Sequence, residues 1–333
     1  MSFYASPRDV VALSSLNVDY IYEVDDLSFL RPLYPQDKES RGWVLTSPEE
    51  IKKVEILLQK NARLISRSGG GSGSNTIFCL IKMGFQCGLV GNIGRDDDGE
   101  FLLEELSPVS LQRITRDQQT GKALVFLGPS RDRIILRIPN ANATLSWADL
   151  DLNFLDSFEF LHMTSLPGEG LALQSRLAAE IFSKVRISFD PGEVYARKGL
   201  QALKVILSHS EILFITEREL ELLTGLPLEK AVPLVLSLGV PIVAVKRKGA
   251  GASIFQGTEA WDLPAEIISA RDTTGAGDVF AAGFLAGTLR GLTLPDCGRL
   301  ALKLAGQSMG GLWREAYPGR QDLDREIQKF KVV

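Results

Sequence analysis

The chain has few residues of the types that bind transition metals or form disulfides. Its 333 residues include two histidines and three cysteines. His162 and His209 are too few for a histidine-rich metal site, and the scattered cysteines contain no Cys-x-x-Cys pair, which argues against structural zinc. An odd number of cysteines without such pairing is typical of a reducing compartment, so we expect a cytoplasmic location.

Basic runs and long apolar segments are also missing from the sequence. The longest apolar stretch, residues 232–245, is interrupted by two prolines and a glycine and is too short to cross a bilayer. Residues 1–9 contain no apolar core of a signal peptide. A net charge of −4 without a cluster of lysines and arginines argues against nucleic acid or a membrane surface as a partner.

Three familiar motifs are absent or incomplete. The P-loop pattern GxxxxGK[ST] does not occur, and the glycine run at 69–73 fails the GxGxxG pattern because Ser74 stands at its last glycine. Residues 306–310 match the G-x-S-x-G nucleophile elbow, but a helical pattern precedes them and both histidines come earlier than Ser308. A P-loop enzyme, a dinucleotide-binding fold and an α/β-hydrolase are therefore set aside.

What the sequence does contain is a regular alternation of short apolar strands and amphipathic helices. This alternation predicts an α/β fold of three layers, in which a mostly parallel sheet is covered by helices on both faces. With 45% hydrophobic residues the chain can bury a large core. No internal repeat or linker divides it, so we expect a single domain over residues 1–333.

A β-hairpin interrupts the alternation. The apolar segments 123–127 and 133–138 are joined by a turn that begins with Gly128-Pro129, which is typical of two antiparallel strands. Residues 20–24 alternate in the same way. We expect the segments near 20–27 and 113–138 to form a small β lid that projects from the main sheet.

One stretch, DTTGAGD from Asp272 to Asp278, combines features of a phosphate site. Gly275, Ala276 and Gly277 let the backbone approach a ligand closely, and the apolar run that follows predicts a buried helix. Unpaired N–H groups at such a helix start attract anions. Asp278 would then be placed to accept a proton from a hydroxyl group. A capped tight turn explains the same residues without any chemistry.

Polar residues and glycines follow two further strands. Asn17 and Asp19 come after the strand at 9–13, and in an extended segment they point the same way, so they could bind neighbouring hydroxyls of a polyol. Gly70, Gly71 and Asn75 come between the strand at 62–66 and a helical pattern, where the backbone is open to a ligand. Turn-forming residues and a flexible linker are the plainer interpretations.

Two later turns also carry polar residues or glycines. Thr216 and Glu219 have the spacing of a capping box, and that structural role alone would explain both. The segment KRKGAG from Lys246 to Gly251, which includes Gly249, follows the strand at 240–245.

Together these features resemble the ribokinase family, also called PfkB-type sugar and nucleoside kinases. The resemblance is carried by residues 70–75 with LVGNIGRDDDG at 89–99, and by DTTGAGD at 272–278 with its helix. Asn17-Val18-Asp19, Thr120-Gly121 and TERE at 216–219 support it. The resemblance covers nearly the whole chain and implies a ribokinase-like three-layer sandwich with a small β lid.

The resemblance also implies an activity, the transfer of the γ-phosphate of ATP to a hydroxyl group with the help of Mg²⁺. Asp278 would be the base, and the amides of Gly275, Ala276 and Gly277 would hold the migrating phosphoryl group. The other implied roles are sugar binding at Asn17, Asp19, Gly70, Gly71 and Asn75; nucleotide binding at Thr216, Lys246, Gly249 and Gly251; magnesium orientation at Glu219; and a monovalent-cation (K⁺) loop at Asp272 and Thr274. A homodimer formed through the lid is a further implication.

The sequence departs from the family pattern at several positions. Thr216 stands where the N-x-x-E motif has asparagine, and Lys248 stands where the nucleotide turn often has glycine. Thr164 occupies the position of a sugar-binding glutamate in ribokinases, which weakens ribose as the substrate.

We therefore carry three hypotheses. The first is an ATP-dependent sugar kinase. The second is an adenosine-like nucleoside kinase, in which Tyr22, Phe29 and Phe126 would form a slot for the base. The third is a non-catalytic ligand-binding protein on the same scaffold, motivated by Thr216 and Lys248.

Overall fold

The computed structural model describes residues 8–33, 42–107, 110–116, 118–129, 133–181, 184–266 and 272–330. The strands in these ranges form two sheets, a large one of nine strands and a small one of five. The strands are β1 (Arg8–Leu13), β2 (Asn17–Glu23), β3 (Gly42–Val44), β4 (Arg63–Gly70), β5 (Cys87–Ile93), β6 (Ser110–Arg116), β7 (Gly121–Leu127), β8 (Arg133–Ile138), β9 (Phe158–Thr164), β10 (Arg186–Asp190), β11 (Ile212–Thr216), β12 (Ile242–Lys246), β13 (Ala252–Gln256) and β14 (Glu259–Leu263).

The helices follow the strands in the expected alternation. They are α1 (Pro48–Asn61), α2 (Ser72–Lys82), α3 (Asp97–Glu105), α4 (Leu152–Leu155), α5 (Gly170–Ile181), α6 (Gly192–Ala196), α7 (Leu200–His209), α8 (Glu217–Thr224), α9 (Leu228–Ser237), α10 (Ala276–Leu289), α11 (Leu294–Ser308) and α12 (Arg320–Phe330). Short 3₁₀ turns include Leu27–Leu33, Asn140–Thr144 and Trp313–Ala316.

The large sheet has the order β14-β13-β12-β11-β10-β9-β1-β5-β6. Neighbouring strands are parallel from β6 to β12, and β13 and β14 add an antiparallel edge. Because parallel strands share a direction, the carboxyl ends of β1 and β9 to β12 lie at one edge, where ligand sites of such sheets form. The candidate site lies at this edge.

Two hydrophobic cores cover the two faces of the large sheet. In β1, Val10 and Ala12 belong to one core and Val11 and Leu13 to the other, as the two-residue period of a strand requires. Helices α2, α10 and α11 contribute to the first core, and α5, α7, α8 and α9 contribute to the second. The predicted three-layer arrangement is confirmed.

Helices α10 and α11 pack at short range because glycines face the contact. A Cβ on Gly283 would approach the backbone of Ala301 to 2.9 Å, and one on Gly287 would approach Cys297 Sγ to 3.0 Å. Larger side chains would push α10 away from α11 and displace its first turn, which belongs to the candidate site. Ser308, the centre of the rejected nucleophile elbow, lies at the end of α11 and donates a hydrogen bond to Ala305 O.

The small sheet differs from the predicted lid. Its order is β3-β8-β7-β2-β4, and β7 and β8 form the expected antiparallel hairpin. The prediction that residues 113–116 belong to the lid is wrong, because β6 extends the large sheet parallel to β5. Residues 24–27 leave the sheet after Glu23, whereas 42–44 and 63–70 join it. An edge strand can pair with either sheet, and local sequence does not encode that choice.

The small sheet is fixed to the rest of the molecule around the start of α3. Asp96 caps α3 and also accepts hydrogen bonds from the Thr120 amide and hydroxyl at 3.0 and 2.5 Å. Asp98 accepts a hydrogen bond from Tyr20 and forms an ion pair with Lys122. These contacts join β2 and β7 to the main body, so the base of the small sheet is held rigidly.

No helix in the described ranges is both long and apolar enough to cross a membrane.

Candidate active site

Asp278 lies in the first turn of α10 and is held by two side chains of α2. Ser72 Oγ donates to Asp278 Oδ1 at 2.5 Å, and Asn75 Nδ2 donates to Oδ2 at 2.8 Å. Each carboxylate oxygen is therefore aimed by its own donor. Ser72 and Asp278 are 206 residues apart in the chain. The sequence patterns predict their two segments separately and do not show that the segments meet.

Two glycines bring the end of β4 against β2. The register pairs Asn17 with Gly70, and a Cβ on Gly70 would collide with the carboxylate of Asp19. Gly71 has φ +93°, and a Cβ there would collide with the carbonyl of Ser15. We call Gly70, Gly71, Ser72 and Asn75 the glycine cradle. Its backbone can follow this path only because Gly70 and Gly71 carry no side chain.

A buried arginine, Arg314, supports the glycine cradle through hydrogen bonds. Its side chain is 4% exposed and forms an ion pair with Glu105 at 2.7 Å. It also donates to Asn75 Oδ1 at 3.0 Å and to Ser74 Oγ at 2.8 Å. With its oxygen taken by Arg314, the Asn75 amide must direct its nitrogen toward Asp278, so Arg314 determines the orientation of Asn75.

Asn17 is positioned by a second asparagine rather than by its own turn. Asn142 Nδ2 donates to Asn17 Oδ1 at 2.8 Å, and Asn142 Oδ1 accepts from the Leu16 amide at 2.8 Å. Asn142 belongs to the 3₁₀ turn Asn140–Thr144 and is buried. The Asn17 amide nitrogen therefore remains as the donor that a hydroxyl ligand can use.

Burial raises the pKa of both carboxyl groups in this part of the site. The pKa of Asp278 rises to about 6, although the hydrogen bonds from Ser72 and Asn75 oppose the shift. The pKa of Asp19 rises to about 7, against the attraction of the Arg314 and Arg137 guanidinium groups. The Asp278 carboxylate also raises the pKa of Asp19, and the Asp190 carboxylate raises that of Asp278. Asp278 is thus mostly ionised at neutral pH yet remains basic enough to take a proton.

On the other side of α10, Lys246 lies between two carboxylates. Its Nζ donates to Asp190 Oδ2 at 2.6 Å, with both side chains nearly buried. Burial alone would lower the pKa of Lys246, but Asp190 and Glu219 outweigh it and the pKa is raised. A Cβ on Gly277 would lie 3.4 Å from Lys246 Nζ, so a fixed cation flanks the start of α10. We call Lys246, Asp190 and Glu219 the lysine cluster.

Thr216 and Glu219 form the predicted capping box at the start of α8. The Thr216 amide donates to Glu219 Oε2 at 2.8 Å, and the Glu219 amide donates to Thr216 Oγ1 at 3.1 Å. Burial raises the pKa of Glu219 while Lys246 opposes it. One oxygen of Glu219 is thereby used by the helix cap, and Oε1 remains for another partner.

A cavity of about 440 Å³ opens beside the lysine cluster. Its lining includes Thr216, Arg218, Leu226, Lys246, Arg247 and Lys248. Gly251, with φ +102°, lies against the backbone of Leu263, so a close approach within the fold requires glycine there. Gly249 is exposed and faces open space. The cavity combines apolar and cationic walls, which suits a nucleotide, and Glu217, Glu221 and Glu229 also belong to its lining.

The start of α10 has the geometry of an anion site, with one difference from the prediction. Gly275 is the N-cap residue with φ +74°, and a Cβ there would collide with the Tyr317 hydroxyl. The Ala276 amide donates to Thr273 O at 3.4 Å, whereas no acceptor among the described residues bonds the Gly275 or Gly277 amide. The Gly275 and Gly277 amides, with Lys246 Nζ nearby, are therefore the groups best placed for an anion.

Asp272 and Thr274 lie together in the loop before α10. Asp272 Oδ1 accepts from the Thr274 amide at 2.9 Å and from its hydroxyl at 2.8 Å. Arg133 of β8 reaches this loop and donates to Thr274 Oγ1 at 2.5 Å. Asp272 Oδ2 is buried without a hydrogen-bond partner among the described residues. This orphaned oxygen fits a cation ligand.

No cluster of three or more His, Cys, Asp or Glu side chains that could hold a metal occurs within the described ranges. Magnesium typically binds one or two carboxylates together with substrate phosphates. Asp190 and Glu219, which flank Lys246, fit that kind of site.

The structure brings Asp278, Asp19, Gly70, Gly71 and Asn75 together, and it gathers Thr216, Glu219 and Lys246 beside them. Gly249 lies at the exposed rim. Sequence reasoning missed several residues that build the site: Ser72 as a partner of Asp278, Arg314, Asn142, Asp190, Tyr317, Arg133 and Arg137. The Asp-Pro-Gly turn after β10 was the one local signal for Asp190; the others meet the site only through tertiary contacts.

A buried carboxylate, a glycine cradle and an anion site at one sheet edge are the parts that transfer of a phosphoryl group to a hydroxyl requires. Comparison with known proteins gives the family. The model of the pfkB family of carbohydrate kinases matches residues 52–310, and the chain belongs to that family. It is thus a phosphotransferase with an alcohol group as acceptor.

Similar proteins include two archaeal relatives. An uncharacterised sugar kinase from Archaeoglobus fulgidus is 31% identical over 255 residues, covering 74% of this chain and 99% of the relative. An ATP-dependent ribose-1-phosphate kinase from Halopiger xanaduensis is 31% identical over 225 residues, covering 66% and 73%. The solved structure of Arabidopsis thaliana ribokinase complexed with ribose and ATP is 23% identical, with a TM-score of 0.77 over 97% of this chain and 99% of that one. The last match shows the shared fold.

Proposed function

We propose that this protein is a sugar kinase that uses ATP to phosphorylate one sugar hydroxyl. One observation carries the proposal: the Asp278 carboxylate and the anion site share the first turn of α10, with the glycine cradle on one side and the lysine cluster on the other. An acceptor in the cradle and a nucleotide beside Lys246 would meet at Asp278.

In the proposed reaction, the sugar hydroxyl gives its proton to Asp278 as its oxygen attacks the γ-phosphorus. The bond from that phosphorus to the β–γ bridging oxygen breaks, and ADP leaves. Ser72 and Asn75 hold the carboxylate in position, while Lys246 Nζ and the Gly277 amide stabilise the negative charge on the transferring group.

Asn17, Asp19 and the glycine cradle would bind the sugar. The free amide nitrogen of Asn17 can donate to one hydroxyl and Asp19 can accept from its neighbour. Thr216, which lines the 440 Å³ cavity, remains a predicted nucleotide contact, as do Gly249 and Gly251.

Two cations complete the proposal. Magnesium on the nucleotide phosphates would neutralise charge that develops during transfer, and Glu219 and Asp190 would orient it. The unpartnered Oδ2 of Asp272, next to Thr274, supports a monovalent cation such as K⁺. Dimerisation through the small sheet stays a prediction, supported by Leu64 and Ile65, which are 50% and 40% exposed on its edge strand β4.

A nucleoside acceptor loses the support that the sequence gave it. Tyr22 stacks on Phe126 at 5.7 Å, and Phe29 meets the same ring edge-on at 5.9 Å. All three belong to the core under α1, on the face of the small sheet opposite to Asp19. They therefore pack in the core between the small sheet and α1 and do not form a slot for a base.

The test is a coupled assay of ADP release with ATP, Mg²⁺ and a panel of sugars, sugar acids, sugar phosphates and nucleosides. We expect release above the acceptor-free rate with at least one sugar and with no nucleoside. Saturation by adenosine alone would establish the nucleoside kinase instead. No acceptor-dependent release across the whole panel would favour a non-catalytic binding protein.

A further inference from the structure

The inner face of the small sheet carries an arginine that no part of the proposed reaction uses. In β8, Ile134, Leu136 and Ile138 belong to the core under α1. Successive residues of a strand point to opposite faces, so Arg133 and Arg137 lie on the face toward the site. Arg133 reaches the loop before α10, whereas Arg137 lies four residues further along.

Strand register places Arg137 in one row with Asp19. Asp19 of β2 pairs with Ala123 of β7, and Ala123 pairs with Arg137 of β8. Neighbouring strands are about 4.8 Å apart, so the Cα atoms of Asp19 and Arg137 lie about 10 Å apart on one face. The residue between them is Ala123, so no long side chain of β7 separates the carboxylate from the guanidinium. We call the space over Ala123 the hollow.

The charges that face Arg137 do not neutralise it. Burial lowers the pKa of Arg137, Asp19 and Glu193 raise it, and Arg133 lowers it. Glu193 is already paired with Arg197 at 2.5 Å. Asp19 is held only partly ionised near neutral pH by its own burial, since its pKa is about 7. The half-buried guanidinium forms no hydrogen bond and no ion pair with any residue in the described ranges.

Arg314, another arginine of the same molecule, has the hydrogen-bonding partners that Arg137 lacks among the described residues. Its guanidinium bonds Glu105, Asn75 and Ser74. A buried cation without such partners is costly, and an anion that enters the hollow would repay the cost with charge-assisted hydrogen bonds.

We propose that Arg137 binds an anionic substituent of the sugar, a carboxylate or a phosphate, so that the acceptor is a sugar acid or a sugar phosphate. The inference rests on the proposed sugar kinase function. The sugar would bridge the hollow, with its hydroxyls on Asn17 and Asp19 and its anionic group on Arg137. Arg137 forms no part of the anion site at α10, which serves the transferred phosphoryl group.

The test compares Arg137→Gln, which removes the charge, with Arg137→Lys, which keeps it. The matched control is Arg63→Gln, because Arg63 is an exposed arginine of the same sheet that pairs with Glu23 away from the hollow. KM and kcat are measured for a neutral sugar, the corresponding sugar acid and the sugar phosphates, with inorganic phosphate as a competitor.

We expect the native protein to prefer an anionic sugar. Arg137→Gln should raise KM for that sugar about ten- to a hundredfold and leave KM for ATP and for neutral sugars unchanged. Arg137→Lys should recover part of the loss, and Arg63→Gln should have no effect. The sugar acid and sugar phosphate arms distinguish a carboxylate from a phosphate.

A preference for neutral sugars, or an equal loss for neutral and anionic acceptors in Arg137→Gln, would overturn the inference. Calorimetric binding without ATP separates this outcome from failure of the kinase function. If an anionic sugar binds the native protein but not Arg137→Gln, while no ADP is released, the binding site stands and the kinase proposal fails. If no anionic sugar binds, the inference is wrong whatever the activity.

Discussion

The two sides of the site, the glycine cradle and the lysine cluster, are built in different ways. On the cradle side, Asn75 has a partner for its amide nitrogen and one for its amide oxygen, Arg314 donates to several acceptors, and the network closes on Asp278 without any ligand. On the other side, Lys246 holds Asp190 directly, while exposed cations such as Lys248 rim an open cavity. The cradle side has its hydrogen bonds in place before a ligand binds, whereas the lysine side keeps charged groups available for a ligand.

The difference reflects what each side has to hold. A sugar hydroxyl must be placed within hydrogen-bond distance of the base, so rigid donors that position Asp278 improve the reaction directly. A nucleotide with its metal brings several negative charges and water ligands. An open cavity rimmed by the exposed Lys248, next to the uncommitted Oε1 of Glu219, can adapt to it. The comparison yields four predictions.

The largest effect should come from the residue that both sides share. Asp278→Asn keeps the acceptor oxygen for Ser72 but cannot take a proton, so kcat should fall by about 10³-fold or more. ATP affinity should change little, as measured by calorimetry. Asp324→Asn on the exposed face of α12 is the control. Near-native turnover by Asp278→Asn would rule out its role as the base.

A smaller loss is expected on the lysine side. Lys246→Met leaves Asp190 and Glu219 buried without their cation, so we expect kcat/KM for ATP to fall about a hundredfold and stability to fall by about 3 kcal/mol or more. The double variant Lys246→Met, Asp190→Asn should recover stability in thermal melts but not turnover. Recovery of both would mean that the lysine only stabilises the fold.

The pH profile tests the carboxylates of the cradle side. Since the pKa of Asp278 is raised to about 6, its base form is lost as pH falls through 6. The rate should be constant at high pH and decline toward tenfold per unit below that value. Asp19, with a pKa of about 7, is coupled to it, so the measured values belong to the pair. A profile that stays flat down to pH 5 would contradict the raised pKa.

The smallest effect is expected at Thr216, the departure from the family pattern. Asparagine caps helices as well as threonine does, so Thr216→Asn should leave the melting temperature unchanged and alter KM for ATP by no more than about threefold. Thr216→Ala removes the hydroxyl that accepts from Glu219 and should cost about 1 kcal/mol. A large gain of activity in Thr216→Asn would show that the threonine impairs the native enzyme.

Features that depend on local chemistry could be predicted from the sequence. Alternating strands and helices, the helix start at Gly275 and the capping box at Thr216 each follow from a short pattern of residues, and the structure has all of them. The structure also brings together Asp19 and Gly70, to which the family resemblance gives a role in sugar binding.

Features that depend on partner choice could not be predicted. Arg314 and Asn142 give no local signal, because each acts on a segment more than 120 residues away. Strand β6 carries the same alternation as its neighbours, and only the complete sheet decides where it pairs. Local sequence likewise does not show that Tyr22 and Phe126, the candidates for a base slot, pack with each other in the core under α1.

The position of Arg314 has a consequence for the order in which the protein matures during synthesis. Asn75 must wait for a partner 239 residues further along the chain. By the time that partner emerges from the ribosome, β1 to β14 are already present and can pair. A nascent chain that stops short of Arg314 therefore has its sheets but leaves Glu105 without its ion-pair partner and Asn75 without its arginine donor, so competence for turnover is among the last properties the growing chain acquires.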